Sequence, residues 1–531
     1  MNARVGVYVC ECGNNISDQV DIAALVPMLE GAPGVVKVMS HRLLCSKEGQ
    51  EFLAEEVRKE GLTHLVVAAC SPRQHLPTFM EVCKRGGLNP YLMQMANIRE
   101  QCAWVTSDRH EATEKAARMI RAAIARVVRQ APLPEREVEA NPDVIIIGGG
   151  LSGTVTASML AGPERRVHVV DRNPTLAVAL TSLEGVETHG GCEVEAVRGF
   201  FGNFEVELAS KGSRQEVRVG AMVVCTGSRA TTLQEMGYPG SEAPHVVVLP
   251  QDLEGLRPYL DALPSGQPKV MFVHCAGRER VGYCSGVCCL RSFKAMRWMV
   301  ETAPNAQLSC LHQDICVPGR DGEREYQGIL GIGARMTWGR LTALAQQGPQ
   351  VTVSFRREDG SIGQDAADLV ILVPATVPNH GARALIDIIG VEAGPAGFVE
   401  EAHPMLEPVS TSVKGIYVAG SASGPRDGRA TSLLSLAAAA QIAAELRPGK
   451  TLRLEAQTSQ VCEALCTGCR NCMTVCTYGA IEYDLVAQTC RVNETICRGC
   501  GNCVAACPSE AISVKGATYQ QILQEIKEAV R

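Results

Sequence analysis

Short runs of β-branched and aliphatic residues, each closed by a polar or glycine-rich break, recur along this chain. Val144 to Ile147 is one such run, and its length and branching read as a buried strand. It passes into "GGGLSG", then a helical stretch that Gly162–Pro163 stops, then "RVHVVD", a second strand ending at Asp171. Comparable strands are expected in "AMVVCTG" (221–227), at Val270 to Val273 and in "GIYVAGSASG" (415–424). Within the first 130 residues, two apolar runs end at Cys10 and Cys70, where strands give way to loops. The proline-rich, charged stretch "APLPEREVEANPD" (131–143) reads as a linker. Near the C-terminus, "YQQILQEIKEAV" sets Ile522, Leu523, Ile526 and Val530 on one helical face. Such a stripe is more often packing than a docking surface. The pattern predicts an α/β multidomain chain: an N-terminal α/β domain over 1–130, a central domain over 140–450, a small cysteine-rich domain over 455–515 and a helix over 516–531.

Charge alters this little. The net charge is −6 with mixed signs and no long basic run, which argues against nucleic acid or an anionic membrane as the main partner. The longest apolar stretch, Leu433 to Ala444, is short of a membrane span, and "MNARVGVYVCECGN" lacks the apolar core of a secretory signal. A cytoplasmic protein is expected. The 24 cysteines then matter most. Without export they argue for metal ligation rather than disulfides, and they fall in tight C-x2-C and C-C groups.

Residues 466–476, "CTGCRNCMTVC", and 497–507, "CRGCGNCVAAC", each read C-x2-C-x2-C-x3-C. This is the two-cluster ferredoxin pattern, in which three thiolates of one loop grip a cubane and the fourth comes from the other half. One 4Fe–4S cluster is expected on Cys466, Cys469, Cys472 and Cys507, the other on Cys497, Cys500, Cys503 and Cys476. Pro508 follows the second motif, whereas Thr477 replaces that proline in the first. Structural zinc is the alternative for C-x2-C pairs. Cys462 and Cys490 fall outside the motif and read as buried free thiols.

Gly148, Gly150 and Gly153 form G-x-G-x-x-G between a strand and a helix, with Asp171 at the end of the next strand. That context is the dinucleotide fingerprint: glycines for the turn and for close approach of a pyrophosphate, the acid for a ribose hydroxyl. An ordinary glycine-rich turn is the bland alternative. Gly227, ending the "CTG" loop, and Gly420 with Ser421, where an aspartate is usual, fit the flavin-facing strand ends of a flavoprotein with two dinucleotide domains.

Two groups of cysteines remain. Cys10, Cys12, Cys45, Cys70 and Cys102 are dispersed over the N-terminal domain, and "HCAGRERVGYCSGVCCLRS" holds Cys275, Cys284, Cys288 and Cys289. With "ACSPRQHLPTF", "NIREQCAW", the Gly148 fingerprint, "GFVEEAHPMLEPVSTSVKGIYVAG" and the ferredoxin tail in the same order, nearly the whole chain resembles the A-subunit family of heterodisulfide reductases. The resemblance implies a thioredoxin-reductase-like Rossmann flavin domain binding FAD, flanked by an N-terminal cluster domain and a C-terminal two-cluster ferredoxin domain. It implies a third cluster on Cys275, Cys284, Cys288 and Cys289, where a nicotinamide site would otherwise stand. A fourth is expected on four of the five N-terminal cysteines, with Cys10 and Cys12 so close that one of them reads as a bystander. It further implies an electron-transfer role within an anaerobic complex, other subunits of that complex and ferredoxin-like electron carriers as partners, and flavin-based bifurcation as an associated activity. No catalytic dyad or triad is legible, so the substrate is expected on a partner. The chain departs from the family on the flavin side: it runs from "DRNPTLAVALTSLEG" almost directly into "VETHGGCEVEAV", and "VPATVP" (373–378) lacks a glycine. The alternative from a different class is a non-catalytic iron–sulfur conduit with a degenerate flavin site.

Overall fold

The computed structural model describes residues 3–175, 180, 182–210 and 212–531. The chain packs as two compact units, one of residues 1–138 with 453–531, the other Glu139–Leu452. The boundary falls inside the stretch read as a linker. The stretch "DRNPTLAVALTSLEG" lies partly outside the described residues.

The N-terminal part of the first unit is a parallel sheet of β1 (Val5–Cys10), β2 (Val35–His41), β3 (His64–Ala69) and β4 (Met93–Asn97), in the order β2-β1-β3-β4. Alternation along β1 divides its two cores. Val5, Val7 and Val9 pack with Ile120 and Ile124 of the long helix Arg109–Val127, while Tyr8 and Cys10 pack with Leu53 and Phe79 on the other side. Asp108 caps that long helix, accepting from the Glu111 N–H at 2.8 Å.

The second unit repeats one design. Its first half is a five-stranded parallel sheet containing β5 (Val144–Ile147), β6 (Val167–Asp171), β7 (Val186–Gly190) and β8 (Ala221–Val224). Its second half is another, containing β9 (Val246–Val248), β10 (Lys269–Ala276), β11 (Gln307–His312), β12 (Arg335–Trp338) and β13 (Leu369–Pro374). The last strand, β14 (Ile416–Val418), returns to the first sheet beside β8. The orders are β14-β8-β5-β6-β7 and β9-β13-β10-β11-β12, and each half also carries a three-stranded antiparallel sheet. β5 and β13 are buried along their whole length, as strands covered on both faces must be.

In the C-terminal part of the first unit, Ser459–Val461 pairs with Ile512–Val514 and Ile481–Asp484 with Thr489–Val492, all antiparallel. The terminal helix Tyr519–Ala529 lies against Arg109–Val127. Gln521 donates to the Arg129 carbonyl at 2.8 Å, and Arg126 pairs with Glu525 at 2.7 Å. Of the stripe expected to pack, Ile522, Ile526 and Val530 are exposed and Leu523 is half-buried, because the helix docks largely through its polar face. No helix among the described residues is long and apolar enough to cross a membrane.

Candidate metal centres and nucleotide cradle

Every cysteine is a free thiol. In the first sheet, the order β2-β1-β3-β4 places a topological switch at β1, and ligands of open parallel sheets gather beyond the strand ends at such points. Cys10 ends β1, Cys12 follows it, Cys45 lies in the loop after β2, and Cys70 follows β3. Burial raises the Cys10 thiol, and the charges of Cys12 and Cys45 raise it further against the Leu44 N–H, which donates to its sulfur at 3.5 Å. Burial likewise pushes Cys70 up to about 11, with Arg99 opposing and Glu100, Cys12 and Cys45 adding. Cys12 and Cys45 thus act on both Cys10 and Cys70. Arg99 Nη1 lies 3.3 Å from Cys12 Sγ, a cation over the group. Cys102 stands apart: it is buried in the opposite core and its thiol donates to the Ala112 carbonyl at 3.1 Å. Cys10, Cys12 and Cys45 thus pack against one core at the sheet end, and Cys102 lies in the other.

The central group forms at the end of β10. Cys275 is buried there, and Cys288 and Cys289 open the helix Cys288–Thr302. The adjacent pair is coupled: Cys289 raises the Cys288 thiol, and Cys288 lowers that of Cys289. Cys275 and Cys284 add to the charge felt by Cys288. Cys284 is exposed on the loop before the helix. Arg278 pairs with Asp314, whose carbonyl oxygen lies 3.9 Å from the Cys275 sulfur. Sequence reasoning passed over Cys316, whose N–H donates to Cys289 Sγ at 3.5 Å and whose thiol burial raises, with Cys284 and Cys289 adding. Its one legible signal was a position just past the strand "QLSCLH".

Two of these cysteines hold backbone conformations that L-residues seldom take, Cys12 at φ 53° and Cys275 at φ 57°. Such conformations cost about 1–3 kcal/mol and concentrate at ligand clamps.

The ferredoxin-like repeat keeps its register in three dimensions. Short helices Asn471–Thr474 and Asn502–Ala505 occupy equivalent places, each preceded by a left-handed residue, Arg470 and Gly501. Cys476, Cys497, Cys500 and Cys503 line one cavity, the set expected for one cluster. Sulfurs accept N–H bonds there: Ser459 to Cys497 and Ala480 to Cys476, both at 3.3 Å. These donors favour thiolate, the form that binds metal. Burial would raise Cys507, but bonds from Ser509, Ala511 and Ile512 outweigh it and lower the thiol. Cys466, Cys472 and Cys507 share the small core of this domain, while Cys469 is exposed. Cys490 is buried beside Cys472, and its N–H donates to Cys466 Sγ at 3.5 Å. Cys462 is exposed, not buried as expected, because it caps a short surface turn.

The nucleotide fingerprint folds as the spacing predicts. Gly148 has φ 115°, and a Cβ there would lie 2.3 Å from the Cys225 carbonyl oxygen. A Cβ on Gly153 would lie 1.9 Å from the Gly148 oxygen, whereas one on Gly150 would meet open space. Gly150 begins the helix Leu151–Leu160, so its open side lies at a helix N-terminus. This is the cradle a pyrophosphate requires. Asp171 accepts from the N–H groups of Gly149 and Asn173, both at 2.7 Å, which fixes its carboxylate beside the loop. Gly227 is left-handed over open space. Gly420 packs against Ser152, and Ser421 is part-exposed with its hydroxyl directed at the Arg426 carbonyl.

Two family profiles match the chain: a 4Fe–4S dicluster domain over residues 465–512 and a pyridine nucleotide-disulphide oxidoreductase domain over 117–248. The first of two iron–sulfur A-subunits of CoB–CoM heterodisulfide reductase in Methanopyrus kandleri is 29% identical over 91% of this chain and 90% of its own length. A protein of Archaeoglobus profundus named as heterodisulfide reductase A-subunit-like is 27% identical over 90% and 91%. The A-subunit of the H2:CoB–CoM heterodisulfide, ferredoxin reductase of Methanothermobacter thermautotrophicus is 29% identical over 91% of both. Thioredoxin reductase of Lactococcus lactis, at 14% identity, covers 57% of this chain with a TM-score of 0.41.

Proposed function

We propose that this chain, similar to the A-subunits of heterodisulfide reductases over nine tenths of its length, is the electron-transferring iron–sulfur flavoprotein of a multi-subunit oxidoreductase. It carries iron–sulfur clusters and a flavin-type domain. The observation that supports this reading most directly is the end of β10. In the first half of the central unit, β5 ends in a glycine loop. In the second half, β10 ends in Cys275, with Cys284, Cys288 and Cys289 around it. Thiolates occupy the place of a second nucleotide loop.

Four groups of four thiols follow: Cys10, Cys12, Cys45 and Cys70; the central set; and the two ferredoxin sets. Their N–H donors stabilise anionic sulfur and so favour ligation. FAD, held through Gly148, Gly150, Gly153 and Asp171, supplies exchange between electron pairs and single electrons when bound. Gly150 leaves room for its pyrophosphate, and the helix N-terminus neutralises part of that charge. Partner subunits carry the final substrate, and ferredoxin-like carriers exchange electrons with the exposed cysteine loops.

Anaerobic purification with iron, sulfide and flavin measured per chain tests the proposal. About sixteen irons, four cubanes of about four each, and one flavin are expected. NADH alone should leave the flavin oxidised. Zinc in place of iron, or rapid bleaching by NADH, would restore a structural-metal protein or an ordinary pyridine-nucleotide reductase. Full iron without flavin would instead identify a non-catalytic conduit.

A further inference from the structure

Outside the cysteine sets, three side chains of metal-ligating type converge at the edge of the first sheet of the central unit. Two are buried histidines: His168 in β6 is 6% exposed and His189 in β7 is 8% exposed. The third, Glu187, is about half exposed. The register explains their meeting. β6 and β7 run parallel, with His168 opposite Glu187 and Val170 opposite His189. Strand alternation sets Glu187 and His189 on one face, and the pairing sets His168 on that same face. Asp171, at the nucleotide loop, falls on the other face of β6.

The distances suit one ion. His168 Nδ1 lies 3.1 Å from His189 Nε2. Glu187 reaches toward both rings, with Oε2 3.6 Å from His168 Nδ1 and Oε1 3.8 Å from His189 Nε2. Both carboxylate distances are too long for hydrogen bonds. They are close to the spacing of ligand atoms around a tetrahedral zinc, about 3.3–3.6 Å for bonds of about 2.0–2.2 Å. Behind His189 stands Gln215, on the antiparallel strand Ser213–Val219, its carboxamide 2.6 Å from Nδ1. With its oxygen turned to the ring, the carboxamide accepts the Nδ1 proton and leaves Nε2 bare for a metal. Imidazoles that bind metal are commonly oriented by such an acceptor. Arg166 is the competing cation, 4.0 Å from Glu187 Oε2, but both groups are solvated and pair weakly.

We propose that His168, Glu187 and His189 form a site for one zinc ion, with the fourth position left to water. The half-exposed carboxylate gives the ion its way in. β7 is the edge strand of its sheet, paired on one side only, and the ion pins it to β6. On binding, the ion exchanges three of its waters for the protein ligands, and the proton held between the rings passes to solvent. No atom changes oxidation state.

The test uses the full-length, anaerobically purified protein with its iron in place. Zinc chloride is added, unbound metal is removed by gel filtration, and zinc and iron are counted per chain. About one zinc should be retained with the iron content unchanged, and the thermal midpoint should rise. X-ray absorption at the zinc edge should show nitrogen and oxygen at about 2.0–2.2 Å and no sulfur at about 2.3 Å. His189→Ala should abolish retention. Glu187→Ala, at a half-exposed position, should keep the fold and bind zinc at least about tenfold more weakly, and Gln215→Leu should weaken it by about 10–100-fold. Sulfur around the zinc would place it in a cysteine set and overturn the site. Failure to retain zinc, or retention unchanged in Glu187→Ala, would leave only a hydrogen-bonded histidine pair.

Discussion

At Gly153 a methyl group would collide with the Gly148 carbonyl, whereas at Gly150 it would meet open space. The two glycines of one motif therefore fail differently. Gly153→Ala must push the helix off the strand and should cost about 3 kcal/mol, seen as a lower thermal midpoint. Gly150→Val should leave the midpoint nearly unchanged and release FAD, measured by flavin fluorescence in the filtrate. Equal loss of stability in both variants would remove the case for a pyrophosphate at Gly150. The same scale separates exposed ligands from buried bystanders. Burial pushes Cys83 up to about 12 and Cys225 up to about 11, so both stay protonated and shielded at pH 8. Alkylation of native protein at that pH, after iron is chelated, should label the exposed Cys284, Cys469 and Cys500 and spare these two. Cys469→Ala and Cys500→Ala should each remove about four irons, one cluster apiece. The ferredoxin-like domain was legible because each set of three cysteines lies on one short loop with the family's spacing. Cys316 was not, since it reaches its neighbours only after a parallel crossover returns the chain beside β10. That Cys102 enters the opposite core was not legible for a related reason: which face of a sheet a loop cysteine enters depends on the helix packed there.

Among elements, strand ends carry the chemistry. β1, β3 and β10 each hand over to a cysteine at or beside their C-terminal end, and β5 to a glycine loop. The period-2 and buried-run patterns located these strands, with the central one longer than read, Lys269–Ala276 rather than Val270–Val273. The terminal helix was the exception. Its apolar stripe is exposed, and the contacts that hold it are Gln521 to Arg129 and the half-buried Arg126–Glu525 pair. Binary pattern cannot reveal a helix that docks by its polar face. A hydrogen bond and a part-exposed ion pair together stabilise by only about 1–2 kcal/mol. The double variant Gln521→Ala, Glu525→Ala should accordingly release residues 519–531 to limited proteolysis while the iron content holds.

In the whole molecule, the cysteine-rich tail and the N-terminal sheet belong to one packing unit, although more than three hundred residues separate them. Composition suggested independent modules, and nothing local to either end signals the pairing. A fragment of residues 1–138 should be more labile to heat than the same fragment with residues 453–531 supplied in trans, as circular dichroism would record. Indifference to the added fragment would show that each end folds alone.

The interruption of that unit by Glu139–Leu452 also sets a timetable for biosynthesis. A ribosome adding about 5–20 residues per second needs roughly 15–60 s to cross the intervening stretch. Throughout that interval the helix Arg109–Val127 has emerged without the helix that will cover it. Cys10, Cys12, Cys45 and Cys70 are likewise already made, in a unit still unfinished. Whatever delivers iron and sulfide to them meets a nascent half-unit, and the helix Tyr519–Ala529 closes a part translated well before it.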